Sequence, residues 1–200
     1  MLTENMIEKI LDEAVTRGAD FAEVFEENSL FEETVATQEK VEQSVQGRES
    51  GVGIRIFKGL NCYYGYTNRK TEESLKELTK RLTKAMRQKE ASKIILGEKN
   101  IYTMAPTVLM PSGLSFSRKM EPVQTAIRAG MDYDEEIVRM RVKLTDMEQQ
   151  IQIANSEGLF AEDTRVKTRL YIGAFAQNGT DVQNGYFGPG AMQGHEYYDK

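Results

Sequence analysis

Residues 18–68 read GADFAEVFEENSLFEETVATQEKVEQSVQGRESGVGIRIFKGLNCYYGYTN. Val, Phe, Tyr, Ile and Thr recur throughout, and such side chains suit a pleated, half-buried surface. Four runs have strand character: ADFAEVFEENS, LFEETVATQEKVEQSVQGRES, GVGIRIFKG and LNCYYGYTN. Turn residues punctuate them at Asn28-Ser29, Glu39-Lys40, Ser50-Gly51 and Lys58-Gly59. Short strands with tight turns predict an antiparallel meander. Gly51 and Gly53 sit around a strand start, where a missing side chain permits a bulge or close backbone approach.

Helices are expected on both sides of the meander. Leu2, Ile7, Ile10, Leu11, Ala14 and Val15 make one apolar stripe, with Thr3 as N-cap and Gly18 as stop. A second helix is predicted from about Thr71 to Lys89, with Leu75, Leu78, Leu82, Ala85 and Met86 as its stripe. Two such helices cover one face of a sheet.

Residues 97–118 hold Pro106, Pro111 and Gly113 without a clean period, so they read as a linker. A shorter helix, about Pro122 to Met131, leads into a second β region. Val138, Met140, Val142 and Leu144 alternate on one face, and QQIQIANSEG alternates likewise through Ile151 and Ile153. Asn155 to Gly158 reads as a turn, TRVKTRLYIGAFAQ as a long strand, and Asn178-Gly179 as a two-residue hairpin turn. The expected fold is therefore α+β: an antiparallel sheet flanked by two amphipathic helices, then a short helix and a second antiparallel region. The expected partition is a unit at 1–96, a linker at 97–118, and a helix-plus-β region at 119–200.

The chain has 200 residues, 40% apolar and 28% charged, which is ordinary globular composition. A single Cys62 excludes an intrachain disulfide and suits a reducing compartment. MLTENMIEKI is not a signal sequence, and no run is long and apolar enough for a membrane helix. A soluble, cytoplasmic protein is the expectation. The net charge of −5 is uneven. Residues 1–50 hold 13 acidic and 4 basic side chains, whereas residues 69–93 hold 9 basic and 4 acidic. The basic run invites a nucleic-acid reading. A solvated helix face is the preferred reading, and the acidic first quarter would repel a phosphate backbone.

Sites for chemistry are few. His195-Glu196 opens like a metalloprotease helix, but such a helix needs a second histidine about one turn later. Asp199 and Lys200 occupy the places where it would fall. A surface histidine is expected. Cys62 could pair with His195 as nucleophile and base, although a half-buried structural cysteine is the simpler reading. Gly51-Val52-Gly53 precedes a strand, unlike a dinucleotide-binding loop, and GYFGPGAMQG at 185–194 lacks the Lys-Ser/Thr of a P-loop. Glu23, Glu26, Glu27, Glu32 and Glu33 point to both faces of a strand and are expected to keep strand edges soluble. The methionines and Tyr63, Tyr64 and Tyr66 could line a surface for apolar peptide, but the core is the expectation.

The order of segments resembles the TldD/PmbA family, also called modulators of DNA gyrase. Gly18-Ala19-Asp20 followed by a strand, Gly51-Val52-Gly53-Ile54-Arg55, the aromatic strand around Tyr64-Gly65-Tyr66, and the 151–186 block IQIANSEGLFAEDTRVKTRLYIGAFAQNGTDVQNGY carry the likeness. The GVGIR strand favours the TldD-like branch. The resemblance implies a cytoplasmic zinc metallopeptidase acting on peptides and unfolded segments, built as a two-fold assembly with a TldD/PmbA partner. Its implied motif is His-Glu-x-x-x-His with a distant cysteine, the glutamate serving as general base. The resemblance aligns GAMQGHEYYDK with the segment preceding that motif, so the chain is expected to be truncated before the catalytic part. No catalytic, cofactor-binding or metal residue is therefore assigned, and zinc is implied only for the full-length family. The alternatives are a stand-alone assembly module pairing with a full-length partner and, ranked last, a nucleic-acid or gyrase effector.

Overall fold

The computed structural model describes residues 1–84, 86, 95–102 and 107–199. Its elements run α1 (Glu4–Thr16), β1 (Phe21–Thr37), β2 (Val41–Lys58), β3 (Asn61–Thr67), α2 (Glu72–Thr83), β4 (Asn100–Tyr102), a 3-10 turn (Pro111–Gly113), α3 (Phe116–Met131), β5 (Ile137–Asn155), β6 (Phe160–Asn178), β7 (Asp181–Phe187), β8 (Gly190–Ala191) and a 3-10 turn (His195–Asp199). The strand order is β3-β2-β1-β5-β6-β4, with β7 and β8 also paired to β6. The α+β architecture is as expected. One pairing departs from it: β4 lies parallel to β6, through Asn100–Ala161 to Tyr102–Asp163.

The strands are fewer and longer than the punctuation suggested. β1 runs through Asn28-Ser29, and β2 runs through Ser50-Gly51. Neither pair adopts a positive φ; among the described residues only Gly18, Gly59, Gly158 and Gly179 do, and each lies where an element ends. The reversal at Lys58-Gly59 is real: Lys58 pairs with Asn61 around a two-residue loop. At the second hairpin Asn178 pairs with Asp181, so the loop is Gly179-Thr180, one residue beyond the expected turn. Glycine with positive φ at the first loop position suits a turn whose twist matches the strands.

Seventeen to nineteen extended residues span roughly 60 Å, more than a single small core. Two compact units result, each made of three chain segments. Unit 1 comprises Met1–Ser29, Glu49–Thr103 and Gln150–Thr164; unit 2 comprises Leu30–Arg48, Met104–Gln149 and Arg165–Lys200. Each of the long strands β1, β2, β5 and β6 supplies both units. The polar pairs Asn28-Ser29 and Ser50-Gly51 fall at or near the residues where β1 and β2 change unit.

In unit 1, α1 and α2 pack on each other. The Thr3 side chain accepts from the Met6 N–H and that of Thr71 from the Ser74 N–H, as the caps required. Ile7, Ile10, Leu11, Ala14, Leu75 and Leu78 bury against Ala22, Val24, Val52, Ile54, Ile56, Ala154 and Phe160. Helix α2 ends at Thr83; the expected continuation through residues 85 and 87–89 lies outside the described residues. The remaining expectations for this unit shift. Tyr63 packs on the core, but Tyr64 and Tyr66 are exposed. Their rings lie where a side chain on Gly53 or Gly51 would project, so these glycines leave room for tyrosine rings in mid-strand. The 155–158 turn forms as read: the Asn155 side-chain oxygen accepts from the Glu157 and Leu159 N–H groups.

In unit 2, α3 starts six residues earlier than Pro122, within the supposed linker. Ser115 caps it by accepting from the Arg118 N–H, and Met120, Val123 and Ile127 form one stripe. Pro122 lies inside the helix, where it removes one backbone hydrogen bond. The stripe packs on Ala36, Met140, Val142, Leu144 and Leu170. Val138, expected on that face, is exposed instead. Among the described residues no helix is long and apolar enough to cross a membrane.

Candidate functional site

His195 is not a surface residue. It is 2% exposed, and Nε2 lies 2.9 Å from Asp146 Oδ2. Asp146 is buried on β5, where it continues the inward alternation of Met140, Val142 and Leu144. The Thr168 hydroxyl donates to Asp146 Oδ1 at 2.6 Å. With its proton so committed, Thr168 Oγ1 accepts from the Tyr198 hydroxyl at 3.0 Å. The Tyr198 ring stands edge-on to the imidazole at 5.4 Å. Burial pushes the Tyr198 phenol up to about 12, and the Asp146 charge adds to it. The His195 N–H donates to the Leu109 carbonyl. The network thus fastens the last 3-10 turn to β5, β6 and residue 109.

Glu196 points the other way. Its carboxylate accepts from the Leu109 N–H at 2.8 Å and the Gly194 N–H at 3.1 Å. Burial alone would raise its pKa, but backbone N–H groups of Leu109, Glu196, Gly194 and Val108 together hold it below the usual range. Such a carboxylate, already saturated with donors, is a loop clamp and a poor proton acceptor.

Cys62 was expected half-buried and is exposed, near the β2–β3 hairpin of unit 1. Its β-sheet position faces it away from Tyr63, the neighbour that joins the core. His195 belongs to unit 2. Glu26, expected to solubilise a strand, is fully buried in unit 1. It accepts from the Leu2 N–H and from Lys70 Nζ at 2.8 Å. That contact also removes Lys70 from the supposed basic stripe. Of that stripe, residues 85 and 87–93 lie outside the described residues.

The strand alternation holds a signal that the reading of charge runs missed. On β5, Arg139, Arg141 and Lys143 alternate with the buried Met140, Val142 and Leu144. On β6, Lys167, Arg169 and Tyr171 alternate with the buried Thr168 and Leu170. These cations share the side of unit 2's sheet opposite α3. A period-two count of cations, rather than a contiguous count, finds them.

Among the described residues no three of His, Cys, Asp and Glu come together as a metal set, and His195 Nε2 is already engaged by Asp146. These residues do not fit the metal the resemblance implies, and no chemical step is derived through one.

Comparison with known proteins defines the family. Residues 22–86 match the PmbA/TldA metallopeptidase domain 1, and residues 110–200 match the PmbA/TldA metallopeptidase central domain. The chain is similar to a metalloprotease TldD homolog of Buchnera aphidicola, 20% identical over 189 residues, covering 94% of this chain and 39% of that one. It is 26% identical over 172 residues to a metalloprotease of Methanothermobacter thermautotrophicus, covering 80% of this chain and 35% of that one. It therefore spans somewhat over a third of these relatives' length. Solved structures share the fold. A modulator of DNA gyrase from Thermotoga maritima superposes with a TM-score of 0.74 at 18% identity, over 95% of this chain and 43% of that one. TldE of Thermococcus kodakarensis gives 0.68 at 14% identity, over 94% and 43%. With domain 1 and the central domain matched in order along the sequence, the chain belongs to the PmbA/TldD metallopeptidase family.

Proposed function

We propose that this chain is a non-catalytic portion of a TldD-type cytoplasmic metallopeptidase, supplying chamber wall, substrate access or partner contacts to a peptidase that acts on peptides or unfolded segments. The observation that carries the reading is the pair of matched domains, domain 1 and the central domain of the family. The constellation around His195 supports it, since both His195 and Glu196 are committed to holding a loop.

The test is an assay of the 200-residue chain with zinc against casein and flexible peptides. The expected result is no cleavage. Zinc-dependent turnover that survives repurification and is lost in His195→Gln, with the fold intact by circular dichroism, overturns the reading.

A second reading, an assembly module that pairs with a full-length partner, draws on β7. Its seven residues are all exposed, and β6 is its one strand partner among the described residues. Val182, Tyr186 and Phe187 are well exposed on it. Such an edge suits pairing with another extended chain. Light scattering with and without a full-length partner separates the two readings. A chain that stays monomeric in both removes the second.

A further inference from the structure

Among the described residues, unit 2 leaves one face of β5 and β6 without a helix. Arg139, Arg141, Lys143, Lys167 and Arg169 stand on it. Two carboxylates answer these five cations. Glu42 lies 3.3 Å from Arg139 and 3.3 Å from Arg141, and Glu33 lies 3.2 Å from Lys143. Among the described residues, neither Lys167 nor Arg169 has a carboxylate partner. The face is thus cationic on a chain whose net charge is −5. Lys143 Nζ sits 4.7 Å from the centre of the Tyr171 ring and the Arg169 guanidinium 4.6 Å from it. The ring holds both heads in place. A groove of about 350 Å³ runs among Arg141, Lys143, Arg169, Tyr171, Phe175 and Tyr186. A second, of about 780 Å³, shares Arg169 and Tyr171 and adds Lys167, with Glu32, Glu33 and Asp146 also in its lining.

We propose that this face recognises an extended peptide segment bearing carboxylates at alternate positions. The proposal rests on the peptidase reading above and narrows its substrate class. Same-face side chains on a strand repeat every 6.7 Å or so, and an extended peptide lying along the strands has that same repeat. Alternate carboxylates of the peptide therefore meet successive cations without bending. Phe175 and Tyr186 line the same groove and give the peptide's path an apolar wall. A polyphosphate fits less well. Glu33 and Glu42 lie among the cations, and Tyr171 is already engaged by two of them, so it offers no free platform for base stacking.

The test uses the 200-residue chain and three fluorescent probes: a peptide of alternating Glu and Thr, its Gln-for-Glu counterpart, and an oligothymidylate of matching charge. Polarisation at low salt is expected to show the acidic peptide bound at least about fivefold more tightly than the neutral one, weakening as salt rises. Lys167→Gln and Arg169→Gln, both exposed and checked for fold, should each weaken it about threefold, and Lys80→Gln on α2 should not. Equal binding of both peptides overturns the charge selection and leaves the peptidase reading standing. Binding of neither peptide overturns the proposal, and the cleavage assay then decides the peptidase reading separately. Tighter binding of the oligothymidylate assigns the face to nucleic acid and overturns the proposal. So does self-association of the chain that masks the face, read by light scattering.

Discussion

The two units draw on the same long strands but close their cores differently. Unit 1 covers its strands with α1 and α2, and Ile7, Ile10, Leu11 and Leu75 are completely buried. Unit 2 has α3 as its cover, and the Asp146–His195–Thr168–Tyr198 network anchors its last turn. Unit 1 places a buried carboxylate too, Glu26, but answers it with a lysine and a backbone N–H. The difference teaches that, among the described residues, satisfied polar groups position the last turn of unit 2 as apolar area positions the helices of unit 1. Satisfied networks of this kind specify geometry, and they fail sharply when one member is removed.

Four experiments break or sharpen that contrast. The largest effect is expected for Asp146→Ala, which strips partners from His195 and Thr168 together. It should cost about 3–5 kcal/mol by urea unfolding, with hydrogen exchange rising first in residues 107–149 and 165–199. Exchange that rises equally in unit 1 would show the units to unfold as one. Next comes Ile10→Ala in α1, which leaves a cavity in the unit 1 core and should cost about 3 kcal/mol. A loss below about 1 kcal/mol would mean that this core collapses around the gap.

Two glycines give a finer comparison. A Cβ on Gly194 would meet the Leu109 carbonyl oxygen at 2.1 Å, and one on Gly51 would meet the Tyr66 hydroxyl at 2.1 Å. Backbone cannot move aside, whereas an exposed tyrosine can. Gly194→Ala should therefore cost about 2 kcal/mol and Gly51→Ala under about 1 kcal/mol. Similar costs would show that neighbour stiffness does not matter here.

The smallest effect concerns alkaline pH. The folded-state pKa of Tyr198 is raised from 10.0 to about 12, so the folded chain favours the neutral phenol. That contribution is complete below pH 10.0 and is lost as pH rises from there through about 12. Ultraviolet titration should find one tyrosine ionising last. Tyr198→Phe should flatten the fall of stability in that window, and an unchanged slope would count against the assignment.

Much of the fold was legible in the sequence. The caps at Thr3 and Thr71, the stripe of α1, the turn at Asn155 to Gly158 and the hairpin near Gly179 all depend on neighbours within a few residues. Local hydrogen bonds and backbone conformation are properties of short stretches, so short stretches reveal them. The segment order also sufficed for the family resemblance. Strand length was not legible. Asn28-Ser29 and Ser50-Gly51 look like turns, yet they are extended because the chain there leaves one core for another. Nor was the fate of His195 and Glu26. Each is buried by partners far along the chain, Asp146 for one and Lys70 for the other. The cations of β5 and β6 fall between these cases. Their period of two was written in the sequence, but only the tertiary structure decided that the two rows share one open face, because adjacency of strands is a matter of packing.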